Sequence, residues 1–465
     1  MKTPVVTAKV RLPSFGRADL CPEIPVDLYR ARLSHAIQRL HAERIDTLLV
    51  YADREHCANL MYLTGFDPRF EEALLLLSAD GRRKLLVGNE CLGYLPDTKA
   101  LELEVELFQE FSLMGQPRTT SRPLLDILRD FGVGREQRVG CAGWKYFEDA
   151  LIAGGETALD IPSYLADTLR QLVGDHPRVF NATGLFMDVQ AGLRVTNEPA
   201  QIAQFEYAAG VTSEGVLKVL QHLRLGVAEH ALEKYLESCG LPLSCHRMIS
   251  FGEKAQRGLA SPSARRARLG DAFTIGFGVQ GALNCRAGVI ARGVLDLPEV
   301  IREFYPRFAA NYFRVAATWY EGIRVGGQAK SVFRTVERAR DRGLFHFAVN
   351  PGHYLHLDEW VHSAFTAGSK VILRSGMMLQ MDIIPVSLGP FCYCNAEDGV
   401  VLADKALRDK LAHEFPAMWQ RMQRRRQFTS EKLGVGLHES VLPVSNTPAW
   451  LPPYALDLDT VLTEA

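Results

Sequence analysis

The spacing of apolar positions changes along the chain, and each change marks an element. From Leu28 to Arg44 the residues Leu33, Ile37 and Leu40 recur at helical spacing, which predicts an amphipathic helix. Thr47-Leu48-Leu49-Val50-Tyr51 is an unbroken apolar run of strand length and reads as a buried strand. Ala73 to Ser78 and Lys84 to Val87 flank Ala79-Asp80-Gly81, the signal of a hairpin. Pro123 to Phe131 predicts another helix and Arg138 to Cys141 another strand. Strands alternating with helices up to about residue 180 make an α/β domain. Ahead of it, residues 1–26 carry Pro4, Pro13, Pro22 and Pro25 without a period and read as an irregular arm.

Gly192-Leu193-Arg194-Val195-Thr196-Asn197-Glu198-Pro199 marks a boundary. Asn197 is placed to cap a helix and Pro199 suits its first turn. Ile202, Phe205, Ala209, Val216 and Leu220 then stripe a long helix. Beyond it the chain repeats weakly. Leu225-Gly226-Val227 precedes a helix from Glu229 to Glu237, and Glu321-Gly322-Ile323 precedes one from Ala329 to Arg340. Each half runs into strands: Phe273 to Phe277 and Ala287 to Ala291 in the first, Val371 to Ile384 and Val400 to Leu402 in the second. Two such units predict a duplicated α+β domain with one shared sheet. After Asp404, Leu407 to Gln427 reads as one helix whose basic run Arg424-Arg425-Arg426 is a solvated face or C-terminus. Leu442 to Pro453 is extended and punctuated by proline. The expected domains are residues 1–190, 191–404 and a tail, 405–465.

Composition narrows the class. A length of 465 residues predicts two or three domains. Apolar residues at 47% and charged residues at 23% are those of a globular protein in water. A net charge of −1 points away from nucleic acid and anionic membranes. Met1 to Gly16 has no apolar signal region, and no apolar run is long enough to span a bilayer. Nine irregularly spaced cysteines predict free thiols in a reducing cytoplasm. The expected partner is therefore a small-molecule substrate.

The candidate chemistry lies between Asn350 and Leu402. It comprises Pro351-Gly352-His353-Tyr354-Leu355-His356-Leu357-Asp358-Glu359-Trp360, then Ser375-Gly376-Met377 through Asp382-Ile383-Ile384-Pro385, then Asn395-Ala396-Glu397-Asp398-Gly399. This order of blocks resembles the pita-bread family of creatinase, prolidase, aminopeptidase P and methionine aminopeptidase. Tyr62-Leu63-Thr64-Gly65-Phe66 resembles a string common in the N-terminal domains of prolidase- and creatinase-like members. The resemblance implies a creatinase-like N-terminal α/β domain, a pita-bread domain with a pseudo-twofold, and a homodimer. It also implies that His353, Asp382 and Glu397 stand where the family's peptidases hold metal ligands, with Asp382 replacing a Glu.

The rest of the implied ligand set is missing. Gly270-Asp271-Ala272-Phe273-Thr274-Ile275-Gly276-Phe277-Gly278 fits the frame of the first aspartate ligand, with Gly276 at the ligand position. The second aspartate falls on Val289 when Arg292 is the anchor, or on Ala287 when counted from Gly276. No Asp or Glu lies between Ala272 and Leu295. A dinuclear centre needs several anionic ligands around two cations about 3.5 Å apart, so none is expected. No cofactor is expected, although one His and two carboxylates suit a single divalent ion at His353, Asp382 and Glu397. Creatinase, which works without metal, relies on a His absent from Leu259-Ala260-Ser261-Pro262 and on a Glu that here is Ala291.

The residues expected to carry catalysis are His353, Asp382, Glu397 and Glu359. A His–carboxylate set can act as general acid and base. Asp358-Glu359-Trp360 resembles a string in some branches of the family, including a metal-dependent dimethylsulfoniopropionate lyase. His356 and His362 read as loop residues. Strand parity puts Tyr393 and Asn395 on the face of Glu397 and turns Cys392 and Cys394 away. Cys285 shares parity with Ala287 and Val289. Arg286 and Arg292 are either a cationic edge for a substrate carboxylate or salt bridges. The reading is a divergent hydrolase acting on a C–N bond of a small polar molecule without a dinuclear metal centre. A non-catalytic binding module, a metal-dependent Xaa-Pro peptidase and a single-metal lyase stay open.

Overall fold

The computed structural model describes residues 4–148, 150–390 and 393–465. The chain divides into two compact units, Ile24–Arg194 and Val195–Ala465, the second including the arm up to Glu23. The expected division differs at both ends. The arm holds strand β1 (Val5–Lys9), which pairs antiparallel with Thr460–Glu464, so both chain ends belong to the C-terminal unit.

The N-terminal unit begins with α1 (Val26–Glu43). Its sheet is formed by β2 (Thr47–Ala52), β3 (Ala73–Ser78), β4 (Arg83–Val87), β5 (Glu104–Leu107), β6 (Val139–Ala142) and β7 (Val179–Asn181), in the order β5-β4-β3-β2-β6-β7. Strands β2 and β3 are buried at every residue, which explains their unbroken apolar runs. Helices α2 (Leu124–Asp130) and α3 (Ser163–Val173) place Ile127, Leu128, Leu165 and Leu169 against Leu49, Leu74, Leu76 and Leu86 of the sheet.

The C-terminal unit opens with α4 (Pro199–His222). Pro199 stands at its first turn as expected, but Asn197 does not cap it. Glu198 is the N-cap residue, and Asn197 donates its side-chain amide to the Gly376 carbonyl, 3.0 Å away. The predicted helix from Glu229 is shorter than its pattern, Glu229–Leu232 followed by one 3-10 turn. Strands β8 (Met248–Phe251), β9 (Ala272–Val279) and β10 (Ala282–Val289) follow, then α5 (Phe304–Gly322) and α6 (Ala329–Ala339). Strands β11 (His353–Tyr354), β12 (Met378–Met381) and β13 (Asn395–Leu402) complete the second half.

The sheet order is β11-β12-β13-β10-β9-β8, with the two halves joined at the β10–β13 pair. This is the duplicated architecture that the repeat predicts, with a shifted alignment. Gly226 corresponds to Gly326, not Gly322. Both have φ of +81°, and each amide donates to the carbonyl of a residue that follows an isolated bridge, Ala267 and Leu373 respectively.

The tail is part of the same unit. Its helix is broken into α7 (Lys405–Glu414) and α8 (Pro416–Glu431) because Pro416 has no N–H to continue the ladder. The basic run is not wholly solvated. Arg425 is fully buried and paired with Glu206 at 2.6 Å, which Arg421 also grips at 2.7 Å. Strand β14 (Val441–Pro443) adds to β13, and β15 (Thr460–Glu464) receives β1. Among the described residues no helix is long and apolar enough to cross a membrane.

Candidate functional site

Four neighbouring strands put one residue each into a single row. Met248 of β8 is opposite Gly276 of β9, Gly276 is opposite Cys285 of β10, and Cys285 is opposite Glu397 of β13. Residues directly opposite in antiparallel strands project to the same face. The next pairs extend that face: Gln380 of β12 is opposite Gly399 on one side and His353 on the other. Asp382 follows β12 with the parity of Gln380. The sheet thus brings His353, Asp382 and Glu397 together, with Gly276 and Cys285 beside them. His353 can stand there because Gly352 precedes it with φ of +97°. A Cβ at Gly352 would meet the Trp319 ring nitrogen at 2.8 Å and the Gln380 carbonyl at 2.9 Å.

The site is buried. His353 is 0% exposed, and Asp382 and Glu397 are 4% each. His353 Nε2 lies 3.7 Å from Asp382 Oδ2, beyond hydrogen-bond reach. Its Nδ1 is 3.1 Å from the Tyr354 carbonyl, and its ring stacks on Trp360 with centroids 4.2 Å apart. Burial drives the His353 pKa down to about 4, so the ring is neutral near pH 7. Asp382 is pushed well above the carboxylate range, first by burial and then by the charges of Glu397 and Glu359. Glu397 is also raised, by burial, against hydrogen bonds with Asn395, Cys285 and Asp382 that hold its charge. Both shifts favour one shared proton over two full charges on the pair. Glu359, half-buried, is raised to about 7 by burial and by the charges of Glu397 and Asp358.

Asn395 Nδ2 donates to Glu397 Oε1 at 3.0 Å, and Tyr312 donates to Asn395 Oδ1 at 3.1 Å, which fixes the amide's direction. His353 Nε2 and Asp382 Oδ1 are buried without a hydrogen-bond partner. Orphaned polar atoms are unusual in a protein core, and here two of them belong to one cluster.

The implied dinuclear metal centre does not fit these residues. A Cβ on Gly276 would lie 2.7 Å from Met248 Cε and 3.0 Å from Cys285 Sγ, so two sulfur-bearing side chains fill the space an aspartate would need. Ala287 faces Thr274 and Asn395, and Val289 faces Ala272, so neither brings an oxygen ligand. Among the described residues no group of three or more His, Cys, Asp or Glu side chains has the arrangement of a metal site.

Other expected roles divide. Cys285 lines the site, and Tyr393 is buried with its hydroxyl pKa raised by burial and by Glu397. Cys394 is fully buried, while Cys392 lies outside the described residues. His356 is buried edge-on to Phe205, and His362 sits at a half-buried loop position with Nδ1 3.2 Å from the Ser363 carbonyl. Neither arginine offers a cationic edge to the site. Arg286 projects from the opposite face, buried and paired with Asp398 at 2.8 Å. Arg292 is exposed and paired with Asp296 at 2.7 Å. The sequence reading missed Met248 and the stacking role of Trp360, because contacts between strands far apart in the chain leave no local pattern.

Residues 32–153 match the family model for the creatinase/prolidase N-terminal domain. No curated protein matches the sequence. Among solved structures, prolidase from Pyrococcus horikoshii OT3 is 15% identical, with a TM-score of 0.60 over 80% of this chain and 95% of that one. Dipeptidase PepE from Mycobacterium ulcerans is 18% identical, with a TM-score of 0.62 over 83% of this chain and 95% of that one. A substituted aminopeptidase P from Escherichia coli is 14% identical, with a TM-score of 0.56 over 85% of this chain and 99% of that one.

Proposed function

Given that the chain has the fold of the creatinase, prolidase and aminopeptidase P proteins and carries their N-terminal domain, we propose that it is a hydrolase acting on a C–N bond of a small polar molecule by acid–base chemistry, without a dinuclear metal centre. One observation carries the reading. His353, Asp382 and Glu397 meet on one buried face, while Met248 and Cys285 fill the place of the missing acid.

The balance of the step is simple. A water oxygen bonds to the carbon of an amide or amidine, and a carboxylate of the pair takes the water's proton. The proton held by the other carboxyl passes to the leaving nitrogen as the C–N bond breaks. The products are one amine and one carboxylic acid from an amide, or one amine and one amide or urea from an amidine or guanidine. His353, neutral and 3.7 Å from Asp382, stands beside the pair without a hydrogen bond to it, and its free Nε2 is placed to accept a hydrogen bond from the attacking water or the substrate. Glu359 is at the rim, in partial contact with solvent, and exchanges protons with bulk water.

The burial of His353 favours a second reading, a binding module whose eroded site is a packed core. The discriminating experiment is turnover on a panel of guanidino acids, N-acyl amino acids and Xaa-Pro dipeptides, with and without a chelator. Chelator-resistant turnover on one of the first two classes supports the hydrolase. No turnover on any class supports the binding module. Activity on Xaa-Pro that needs added metal overturns both.

A further inference from the structure

A phenol, a backbone amide and a side-chain amide meet behind the candidate pair. Tyr312 of α5 brings its hydroxyl to Ala396 of β13, whose backbone N–H donates to it at 3.0 Å. A backbone N–H only donates, so the phenol oxygen accepts there and its own hydrogen is turned elsewhere. The nearer of two carbonyl oxygens is Asn395 Oδ1 at 3.1 Å; the other is that of Ala396 at 3.3 Å. With Oδ1 engaged by Tyr312, the Asn395 amide presents its N–H to Glu397 Oε1 at 3.0 Å. Tyr312, Asn395 and Glu397 are all buried, so bulk water does not compete for these bonds.

The two carboxyls of the pair therefore differ in what surrounds them. Glu397 receives the Asn395 amide and hydrogen-bonds the Cys285 thiol, its opposite in the strand register. Asp382 hydrogen-bonds Glu397, and its Oδ1 is buried without a partner among the described residues. Two carboxyls in contact need one proton between them. A buried charge without donors is costly, whereas a protonated carboxyl tolerates a bare oxygen better. The donors stand at Glu397.

We propose that Glu397 is the base of the pair and Asp382 its acid, and that Tyr312 and Asn395 are positioning residues that fix this order from behind the strand. The roles in turnover rest on the hydrolase reading; the place of the charge does not. Glu397 takes one proton of the attacking water as the water oxygen bonds to carbon. Asp382 gives its proton to the leaving nitrogen as the C–N bond breaks. Glu397 then holds a proton and Asp382 a charge, and the hydrogen bond between them returns the proton for the next turnover.

Isosteric amides test the order without turnover. Asp382→Asn keeps an N–H facing Glu397 and leaves the charge where the donors are. Glu397→Gln either sets its N–H against the proton of Asp382 or drives the charge onto Asp382, which lacks donors. At pH 7, Asp382→Asn should melt within about 2 °C of the parent and Glu397→Gln about 5 °C or more below it, or fail to fold. Equal losses, a larger loss for Asp382→Asn, or its failure to fold overturns the order. The part of Asn395 is read by rescue. Asn395→Asp alone sets a carboxylate against Glu397 and should lower the melting temperature. Combined with Glu397→Gln it restores a donor facing an acceptor, so the double variant should melt above Glu397→Gln alone. A double variant no more stable than Glu397→Gln overturns the part of Asn395. On any guanidino acid, N-acyl amino acid or Xaa-Pro dipeptide that the parent hydrolyses, Tyr312→Phe should lower kcat about tenfold with KM unchanged. A raised KM at unchanged kcat overturns the positioning role. If the stabilities follow the predicted order and the parent hydrolyses none of these, the hydrolase reading fails while the place of the charge stands.

Discussion

An imidazole shut away from water and stacked on an indole is a neutral group, and that decides how His353 can be tested. Truncation to alanine would open a void under Trp360 and cost stability whether the site is catalytic or not. His353→Gln keeps most of the volume. It should abolish turnover while moving the melting temperature only slightly, as measured by calorimetry and assay on one preparation. Retained turnover would remove His353 from the mechanism. Glu359 supplies a pH test. Its folded pKa of about 7 lies above its ordinary 4.5, so the folded state keeps a proton that the unfolded chain has released. Its contribution to stability is therefore present below about pH 4.5 and is lost as the pH rises to about 7. Glu359→Gln should erase that part of the slope and be roughly 1–3 kcal/mol more stable than the parent at pH 8 in urea unfolding. A variant whose stability parallels the parent from pH 5 to 8 would contradict this. These residues were legible in the sequence because the order of motifs places them. Their protonation was not, because burial depends on side chains such as Trp360 that pack from elsewhere.

At the scale of elements, the row Met248–Gly276–Cys285–Glu397 shows what strand pairing adds to a sequence pattern. The lack of an acid at Gly276 can be read directly, but the filling of its place by the Met248 methyl from β8 and the Cys285 sulfur from β10 cannot. Restoring the acid should therefore fail. Gly276→Asp forces Met248 and Cys285 to shift and should destabilise the protein by roughly 1–3 kcal/mol, as overpacking does. Adding Met248→Ala should recover part of that loss in denaturant titration; no recovery would show that the crowding lies elsewhere. The opposite face of β13 is a buried polar knot. Asp398 takes Arg286 at 2.8 Å, Ser445 at 2.6 Å, Thr447 at 3.0 Å and the Ala449 amide at 3.2 Å. Asp398→Ala leaves the Arg286 charge unpaired and should cost about 3–5 kcal/mol. The run Glu397-Asp398 is thus one residue for the site and one for the scaffold. The misread helix Leu407 to Gln427 has a plain cause, since Pro416 lay inside an otherwise continuous pattern.

For the whole molecule, the doubled helix-and-strand plan was legible because both halves keep their apolar periods. The weak repeat was aligned four residues off, on Gly322, because a lone Gly carries no phase; the +81° φ of Gly226 and Gly326 supplies it. The tail was not legible as part of the domain, since its extended segment gains its partners only in the folded sheet. Removing residues 441–465 takes away β14, β15 and three of the partners of Asp398, Ser445, Thr447 and the Ala449 amide, and should leave a C-terminal unit without a cooperative thermal transition. The proposed acid–base hydrolase requires a site with neither the donors nor the volume for two metal ions. The most direct test is the metal content of protein loaded with excess Mn²⁺, Co²⁺ or Zn²⁺, dialysed and measured by plasma mass spectrometry. The account predicts no tightly held pair of ions per chain; two equivalents retained after dialysis would contradict it.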